Sequence, residues 1–128
     1  LIDLDWFKRI NDKFGHDMGD KVLQNVAKEI KGQVRGSDIT FRWGGEEFLV
    51  FLPNTRANYA KQIAENLRLH LFSHDINKLV RVTVSIGVSG SYPGEDDLNV
   101  LIKEADQALY LAKAQGRNKV VLWNERKE

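Results

Sequence analysis

The chain has 128 residues, of which 42% are hydrophobic and 29% are charged, and its formal net charge is +1. These values predict a single globular domain over residues 1–128, and the small net charge excludes a strongly basic surface for nucleic acid or an anionic membrane. The lack of cysteine excludes disulfides and thiolate metal sites and predicts a cytoplasmic setting, and no apolar run approaches the roughly 20 residues of a membrane span.

Hydrophobic periodicity predicts that strands and helices alternate along the chain. In order, we predict a strand at 1–5, helices at 6–14 and 20–34, strands at 39–43 and 48–52, a helix capped by Asn54 or Thr55, a strand at 80–88, a helix capped by Asp96 or Asp97 and ended by Gly116, and a strand at 119–123. With helices over one face of a mostly antiparallel sheet, the fold class is α+β, with a ferredoxin-like or palm-type sheet of about five strands. Because the first strand begins abruptly, we expect a fragment that lacks an upstream segment.

Gly44 and Gly45 connect two strand-like runs, which predicts a tight hairpin with positive φ at a two-residue turn. The second run, 48–52, is continuously apolar, as is typical of a strand buried on both faces. Glu46 and Glu47 should point to opposite faces of that strand, since strand side chains alternate. Acids beside a bare glycine backbone suit a cation or a phosphate. The alternative is a solvated turn with surface acids.

Asp3 lies near the end of the first predicted strand. If that strand lies beside the hairpin, Asp3 and Glu46 could share one ion. Two carboxylates, a backbone carbonyl and several open positions are what Mg²⁺ prefers when it also binds phosphates. The alternative is that Asp3 and Asp5 are surface acids at a strand end.

Asn11 and Asp20 offer an amide and a carboxylate, a combination that matches the hydrogen-bonding edge of guanine. Lys8 follows the strand-to-helix loop, where free backbone N–H groups also favour phosphate. Each residue has a local alternative: capping for Asn11 and Asp20, and a solvated helix face for Lys8.

Lys113 and Arg117 lie at the end of the last predicted helix, and Arg35 and Asp38 lie at the exit of the second. The helix dipole alone explains cations at a helix C-terminus, but Lys113 and Arg117 are also suited to anchor phosphates. Arg35 could stack on a purine and bond its Hoogsteen edge, whereas Asp38 could cap a turn. The sequence lacks the P-loop, the dinucleotide-binding glycine motif, the serine nucleophile elbow and the HExxH zinc helix.

Together these motifs resemble the GGDEF domain of diguanylate cyclases, in its Gly-Gly-Glu-Glu-Phe form. The resemblance covers nearly the whole chain. The motifs that carry it are Asp3-Leu4-Asp5-Trp6-Phe7-Lys8 with Asn11-Asp12, Gly15-His16 with Gly19-Asp20, Arg35-x-x-Asp38, Gly44 to Phe48, Ser85-Ile86-Gly87-Val88, and Ala112-Lys113 with Gly116-Arg117-Asn118. Motifs in this number and order are far more specific than any one of them.

The resemblance implies a nucleotide cyclase-like fold that condenses two GTP into cyclic di-GMP and releases two pyrophosphates, across a two-fold homodimer. It implies a cation, Mg²⁺ or Mn²⁺, held by Asp3, the Leu4 carbonyl and Glu46. The implied catalytic residues are Glu46, Lys8 and Glu47. The implied substrate-binding residues are Asn11, His16, Asp20, Gly44, Gly45, Lys113 and Arg117. Product inhibition is implied at Arg35 and Asp38.

Two features depart from the family pattern. An upstream helix and turn that help to hold nucleotide in the family are missing here, and Asn66 stands where many members have a second inhibitory arginine, with Arg68 nearby. The family also leads us to expect an upstream sensory or receiver domain. The rival interpretations are a degenerate, non-enzymatic module that binds GTP or cyclic di-GMP, and a different palm-like nucleotidyl cyclase or polymerase.

Overall fold

The computed structural model describes residues 1–73, 80–90 and 97–123, so that Asp96 lies outside it. The elements within these ranges are β1 (Ile2–Leu4), α1 (Phe7–Phe14), α2 (His16–Gln33), β2 (Ile39–Arg42), β3 (Glu47–Phe51), α3 (Ala57–Ser73), β4 (Val84–Val88), α4 (Leu98–Ala114) and β5 (Val120–Leu122). None of the helices in the described part of the chain is long and apolar enough to cross a bilayer.

The strands form one five-stranded sheet in the order β2-β3-β1-β4-β5. Neighbouring strands are antiparallel except for β4 and β5, which are parallel. The parallel pair follows from the connection, because α4 carries the chain back across the sheet between β4 and β5. The predicted α+β class with a five-stranded, mostly antiparallel sheet is confirmed, and β1 lies at its centre.

Helices pack on both faces of the sheet, so the prediction of helices on one face was wrong. The larger core joins α1, α2 and α3 to alternate residues of the strands, including Phe48, Val84 and Ile86. On the other face, α4 packs against Leu1 and Leu49 through Ala105 and Leu109. Because successive strand residues face opposite sides, the sheet needs a cover on each of them.

Several predicted boundaries shift. The second helix begins at His16, earlier than predicted, because Gly15 (φ 89°) ends α1 and opens α2 within one residue. Strand β4 begins at Val84 instead of Val80. Two signals are confirmed at α4: Asp97 caps it by accepting a hydrogen bond from the Asn99 N–H at 3.0 Å, and Gly116 follows its last turn with φ 114°.

The glycine hairpin differs from the predicted two-residue turn. Residues 43–46 form the connection, with β2 ending at Arg42 and β3 beginning at Glu47. Among the described glycines, positive φ occurs at Gly15 and Gly116, and not in the hairpin. A longer connection turns the chain without left-handed residues. Its geometry is held by the Trp43 N–H, which donates to the Glu47 carbonyl at 2.8 Å.

Strand β3 is buried on one face only, contrary to the prediction from its apolar run. Phe48 is 4% exposed, whereas Phe51 is 42% exposed. The reason is the position of α4, which packs chiefly on β4 and β5 and reaches β3 only at Leu49. The β2–β3 half of that face therefore has no helix over it among the described residues.

Gly87 permits α4 to lie directly on β4. A Cβ added at Gly87 would lie 2.0 Å from the Ala105 carbonyl oxygen and 2.4 Å from the Leu109 nitrogen, both main-chain atoms. We expect Gly87→Ala to lower the free energy of unfolding by about 3 kcal/mol, because the helix must move away from the sheet. Urea unfolding measures this. The control is Gly32→Ala in α2, where an added Cβ meets nothing within 4 Å. It should stabilise by up to about 1 kcal/mol. An equal effect of both substitutions would contradict this packing argument.

Candidate active site

An acidic pair lies where the central strand meets the hairpin. The β1–β3 register places Asp3 opposite Glu47, and the Leu4 N–H donates to the Glu46 carbonyl at 3.2 Å. Asp3 is 5% exposed and is therefore no surface acid. The expectation that Glu46 lies opposite Asp3 is corrected to Glu47, because Glu46 still belongs to the hairpin connection and β3 begins one residue later.

Lys113, in the last turn of α4, reaches this acidic pair. Its Nζ donates to Asp3 Oδ2 at 2.6 Å. Burial raises the pKa of Asp3, and the Lys113 hydrogen bond partly offsets that shift. Burial also raises the pKa of Glu47, with the charge of Asp3 as the next contribution. Ionising both carboxyls is therefore unfavourable in the protein by itself.

The chemistry of this pair fits a hard divalent cation. Oxygen ligands suit Mg²⁺ and Mn²⁺, and a cation would relieve the repulsion between the two carboxylates. Among the described residues, no group of three or more His, Cys, Asp or Glu side chains is placed to hold a metal by itself. A cation bound here would thus keep open positions for water or phosphate oxygens, as Mg²⁺ does at phosphate sites.

Asp5 is a structural residue that the sequence reasoning missed. It is 4% exposed and accepts hydrogen bonds from Thr83 Oγ1 at 2.7 Å, Ser85 Oγ at 2.6 Å and the Asn118 N–H at 2.9 Å. The last bond ties the α4–β5 loop, which contains Arg117, to the end of β1. The signal in the sequence was the pair of hydroxyls at alternate positions 83 and 85, just before and within β4, which neighbours β1.

Arg42 is a second residue that sequence reasoning missed. Its Nε donates to the carbonyls of Gly44 at 3.0 Å and Gly45 at 3.1 Å, and its Nη2 also contacts the Gly45 carbonyl. A Cβ at Gly44 would lie 2.8 Å from Glu47 Oε1, whereas one at Gly45 meets nothing within 4 Å. Arg42 thus fixes the hairpin connection, and Gly44 leaves room for the Glu47 carboxyl.

The predicted guanine-reading residues lie on α1 and α2. A Cβ at Gly19 would lie 1.9 Å from Asn11 Oδ1, so the glycine lets the Asn11 amide pack against α2, one residue before Asp20. Asn11 Oδ1 is buried and has no hydrogen-bond partner within the described residues. The predicted partners Lys8, His16 and Asp20 are exposed. An unpaired buried amide oxygen is costly unless a ligand or water completes it.

Arg117 adopts a left-handed backbone (φ 65°), and its guanidinium lies 4.0 Å from the centroid of the Trp6 ring. Trp6, just before α1, is also left-handed (φ 58°). Such conformations are costly for non-glycine residues and concentrate at functional sites. The side chains of Lys113 and Arg117 thus both extend from the C-terminal end of α4 toward β1 and the residue pair that follows it, Asp5 and Trp6.

Arg35 and Asp38 form a separate cluster, in which Arg35 is exposed and covers the Asp38 side chain. The Arg35 guanidinium binds Asp38 at 2.8 Å, Thr55 Oγ1 at 2.6 Å and the Pro53 carbonyl at 3.2 Å. Thr55 Oγ1 also donates to the Pro53 carbonyl at 3.0 Å, so Thr55 holds this arginine instead of showing the predicted helix cap. The hydrogen bond to Arg35 lowers the pKa of Asp38. These contacts fix the orientation of the Arg35 guanidinium before any ligand binds.

A groove runs from Arg35 along the start of α3. The residues that line it are Arg35, Asn54, Thr55, Arg56, Tyr59, Gln62 and Ile63. Asn66 receives a hydrogen bond from Gln62 Nε2 at 2.9 Å, and Arg68 turns away to Glu65 and Asn118. Neither Asn66 nor Arg68 lines this groove, and the second arginine in it is Arg56.

The family model described as "Diguanylate cyclase, GGDEF domain" matches residues 1–119. The Response regulator PleD of Caulobacter vibrioides is 45% identical in an alignment of 126 residues that covers 94% of this chain and 28% of PleD. Diguanylate cyclase DgcM of Escherichia coli is 46% identical over 121 residues, covering 94% of this chain and 29% of DgcM. The chain thus spans less than a third of the length of these relatives.

Solved structures agree with these matches. The active GGEEF domain of a diguanylate cyclase from Vibrio cholerae superposes with a TM-score of 0.89 at 38% identity, covering 95% of this chain and 79% of that one. The GGDEF domain of DgcB from Caulobacter crescentus, solved in complex with c-di-GMP, gives a TM-score of 0.88 at 32% identity, covering 97% and 75%. At these identities the likeness extends beyond the fold.

The raised pKa of Glu47 gives a testable pH dependence. A carboxyl with a raised pKa stabilises the fold while protonated, and that contribution is lost as the pH rises through the folded-state value. We therefore expect Glu47→Gln to raise Tm at pH 7 without added metal. The gain should shrink as the pH falls and vanish below 4.5, the ordinary pKa of a glutamate carboxyl. Calorimetry over this range measures it. Asp12→Asn, an exposed acid on α1, controls for lost charge. A gain that persists at pH 3 would contradict the assignment.

Proposed function

The chain belongs to the GGDEF family, and on that premise we propose that it is a diguanylate cyclase. It condenses two GTP molecules into cyclic di-GMP and releases two pyrophosphates. The observation that carries the proposal is the acidic pair of buried Asp3 and half-buried Glu47, with Lys113 at 2.6 Å from Asp3. Paired acids beside a lysine suit a metal-bound triphosphate.

The proposed cation site uses the Asp3 carboxylate, the Leu4 carbonyl and Glu46, with Glu47 beside Asp3. Mg²⁺ is the proposed cation, and Mn²⁺ has the same preference for oxygen ligands. When bound, the cation would supply charge neutralisation at phosphate oxygens. The strand register, which brings Asp3 of β1 opposite Glu47 at the start of β3, supports this placement.

The proposed nucleotide contacts divide into two ends. Asn11 and Asp20 read guanine, and the buried, unpaired Asn11 Oδ1 supports this role because guanine N–H groups could complete it. Lys8, Lys113 and Arg117 contact phosphates. With a cation bound at Asp3, Lys113 would give up its hydrogen bond to Asp3 and donate to a phosphate oxygen instead. His16, Gly44 and Gly45 complete the proposed substrate contacts.

In the proposed reaction, the 3′-hydroxyl oxygen of each GTP attacks the α-phosphorus of the other, and these two attacks close the ring. Each attack proceeds in the same way. A P–O bond forms, the bond from the α-phosphorus to the β-bridging oxygen breaks, and pyrophosphate leaves with that electron pair. The hydroxyl proton passes to Glu46 or to water. Each domain binds one GTP, so a two-fold homodimer is part of the mechanism. Positioning and charge neutralisation are the protein's main contributions.

Feedback inhibition is proposed at Arg35 and Asp38. A relative, DgcB, was solved with c-di-GMP bound, and here the paired Arg35 and Asp38 lie at one end of an open groove. The guanidinium and carboxylate together match the hydrogen-bonding edges of guanine. Since the chain spans 28% of PleD, a response regulator, we also propose that an upstream regulatory domain controls the dimer.

We expect Glu46→Ala to reduce cyclic di-GMP formation at least about 100-fold, because it removes a proposed metal ligand at the reacting phosphate. Incubation with GTP and Mg²⁺ followed by chromatography measures this. Asp12→Ala, which removes an exposed acid on α1, serves as the control. Undiminished product formation by Glu46→Ala would contradict the assignment of Glu46 as a metal ligand. GTP binding without product in the unaltered chain would favour a non-enzymatic module.

We expect Arg35→Ala to weaken cyclic di-GMP binding about 10- to 100-fold, the effect of losing one bidentate base contact, and to raise the final product yield. Titration calorimetry and a full progress curve measure the two effects. Lys61→Ala on the exposed face of α3 controls for lost positive charge. If Arg35→Ala binds the product as tightly as the unaltered chain, the feedback site lies elsewhere.

A further inference from the structure

The indole of Trp6 is in contact with two guanidinium groups. The Arg9 Cζ is 3.8 Å from the ring centroid and the Arg117 Cζ is 4.0 Å from it. Both distances are within the range of a cation–π contact. Trp6 is nevertheless 46% exposed, so the stack is formed at the surface of the site and not by burial in the core.

The loop that contains Arg117 is held independently of this stack. The Asn118 N–H donates to Asp5 Oδ2 at 2.9 Å, and Arg68 Nη1 donates to Asn118 Oδ1 at 2.9 Å. Arg117 and Asn118 both have positive φ, which this pinned loop maintains. The dipeptide Asp5–Trp6 therefore contacts the dipeptide Arg117–Asn118 twice: Asp5 fixes its backbone and Trp6 fixes its side chain.

We infer that Trp6 is a positioning residue for the triphosphate, which holds the Arg117 guanidinium ready for phosphate oxygens. This inference rests on the proposed function. An arginine side chain loses considerable rotamer freedom when it binds, and stacking it beforehand removes part of that cost. Trp6 is the aromatic residue type that attracts a guanidinium most strongly.

The same geometry argues against a role for Trp6 in base recognition. Arg9 and Arg117 already pack against the indole, so a stacked guanine would have to compete with two guanidinium groups for it. Trp6 therefore affects affinity through the phosphate end of the ligand. Recognition of the guanine base remains the proposed role of Asn11 and Asp20.

The test separates the two ends with two probes, inorganic tripolyphosphate and guanosine, beside GTP itself. We expect Trp6→Leu to weaken GTP and tripolyphosphate about 2- to 30-fold, the range of a cation–π contact, and to leave guanosine unchanged. Trp6→Phe, which keeps an aromatic face, should recover most of the loss. In an Arg117→Met background, Trp6→Leu should have no further effect on either phosphate ligand. Titration calorimetry measures all of these.

Two outcomes overturn the inference. One is an equal loss of guanosine and GTP affinity in Trp6→Leu. The other is an undiminished effect of Trp6→Leu when Arg117 is already Met. Thermal melting of each variant checks that the fold is intact, which the exposure of Trp6 leads us to expect.

A ligand-free measurement separates this inference from the proposed function. The ring current of Trp6 should shift the Arg117 Nε–Hε proton upfield in the NMR spectrum, and Trp6→Leu should abolish that shift. If the chain binds no GTP but the shift is present, the proposed function fails while the stack stands. If the shift is absent from the unaltered chain, the inference is wrong even where GTP binds.

Discussion

Strand β1 is hydrogen-bonded to β3 on one side and to β4 on the other, and the charged residues of the candidate site are placed relative to it. Its register against β3 brings Asp3 to Glu47. Its contact with β4 gives Asp5 the hydroxyls of Thr83 and Ser85. If β1 slipped by one residue against its neighbours, Asp3 and Asp5 would turn to the opposite face of the sheet. The candidate site thus depends on β1, a strand of three residues that pairs with a neighbouring strand on each side.

The acids of this site destabilise the fold that holds them. Burial raises the pKa of both Asp3 and Glu47, and Lys113 only partly compensates Asp3. Natural proteins retain such unfavourable groups where a ligand uses them. The same is true of Asn11, whose amide oxygen is buried without a partner in the described residues. Strain, unpaired polarity and crowded charge lie at residues that the proposed reaction needs.

The sequence was sufficient for the fold class and for the elements with strong periodicity. The alternation at positions 82–88 and the apolar stripes of α3 and α4 reflect which residues are buried, and the periodic spacing of apolar residues reveals them. It was insufficient for the two-sided packing of helices, because a strand such as β3 shows the same apolar run whether or not α4 covers it. The boundary near Gly15 shifted because this one residue both ends α1 and opens α2. The boundary near Gly44 shifted because the hairpin connection depends on bonds such as those of Arg42, which hydrophobic periodicity does not reveal.

For the candidate site, short motifs predicted acids and cations but not the residues that each of them contacts. Which acid faces Asp3 is a matter of strand register, and one residue decides between Glu46 and Glu47. The roles of Asp5 and Trp6 depend on the α4–β5 loop, more than a hundred residues away in sequence. Contacts of that separation leave no spacing signal in a single sequence.

The central claim is that a divalent cation binds between β1 and the hairpin together with a triphosphate. Its most direct test is paramagnetic broadening of amide signals by Mn²⁺ in the presence of GTP. The account predicts that broadening centres on Asp3, Leu4, Glu46 and Glu47 and leaves α3, on the other face of the sheet, sharp. Broadening centred elsewhere, or spread evenly over exposed acids such as Asp12 and Asp17, would contradict it.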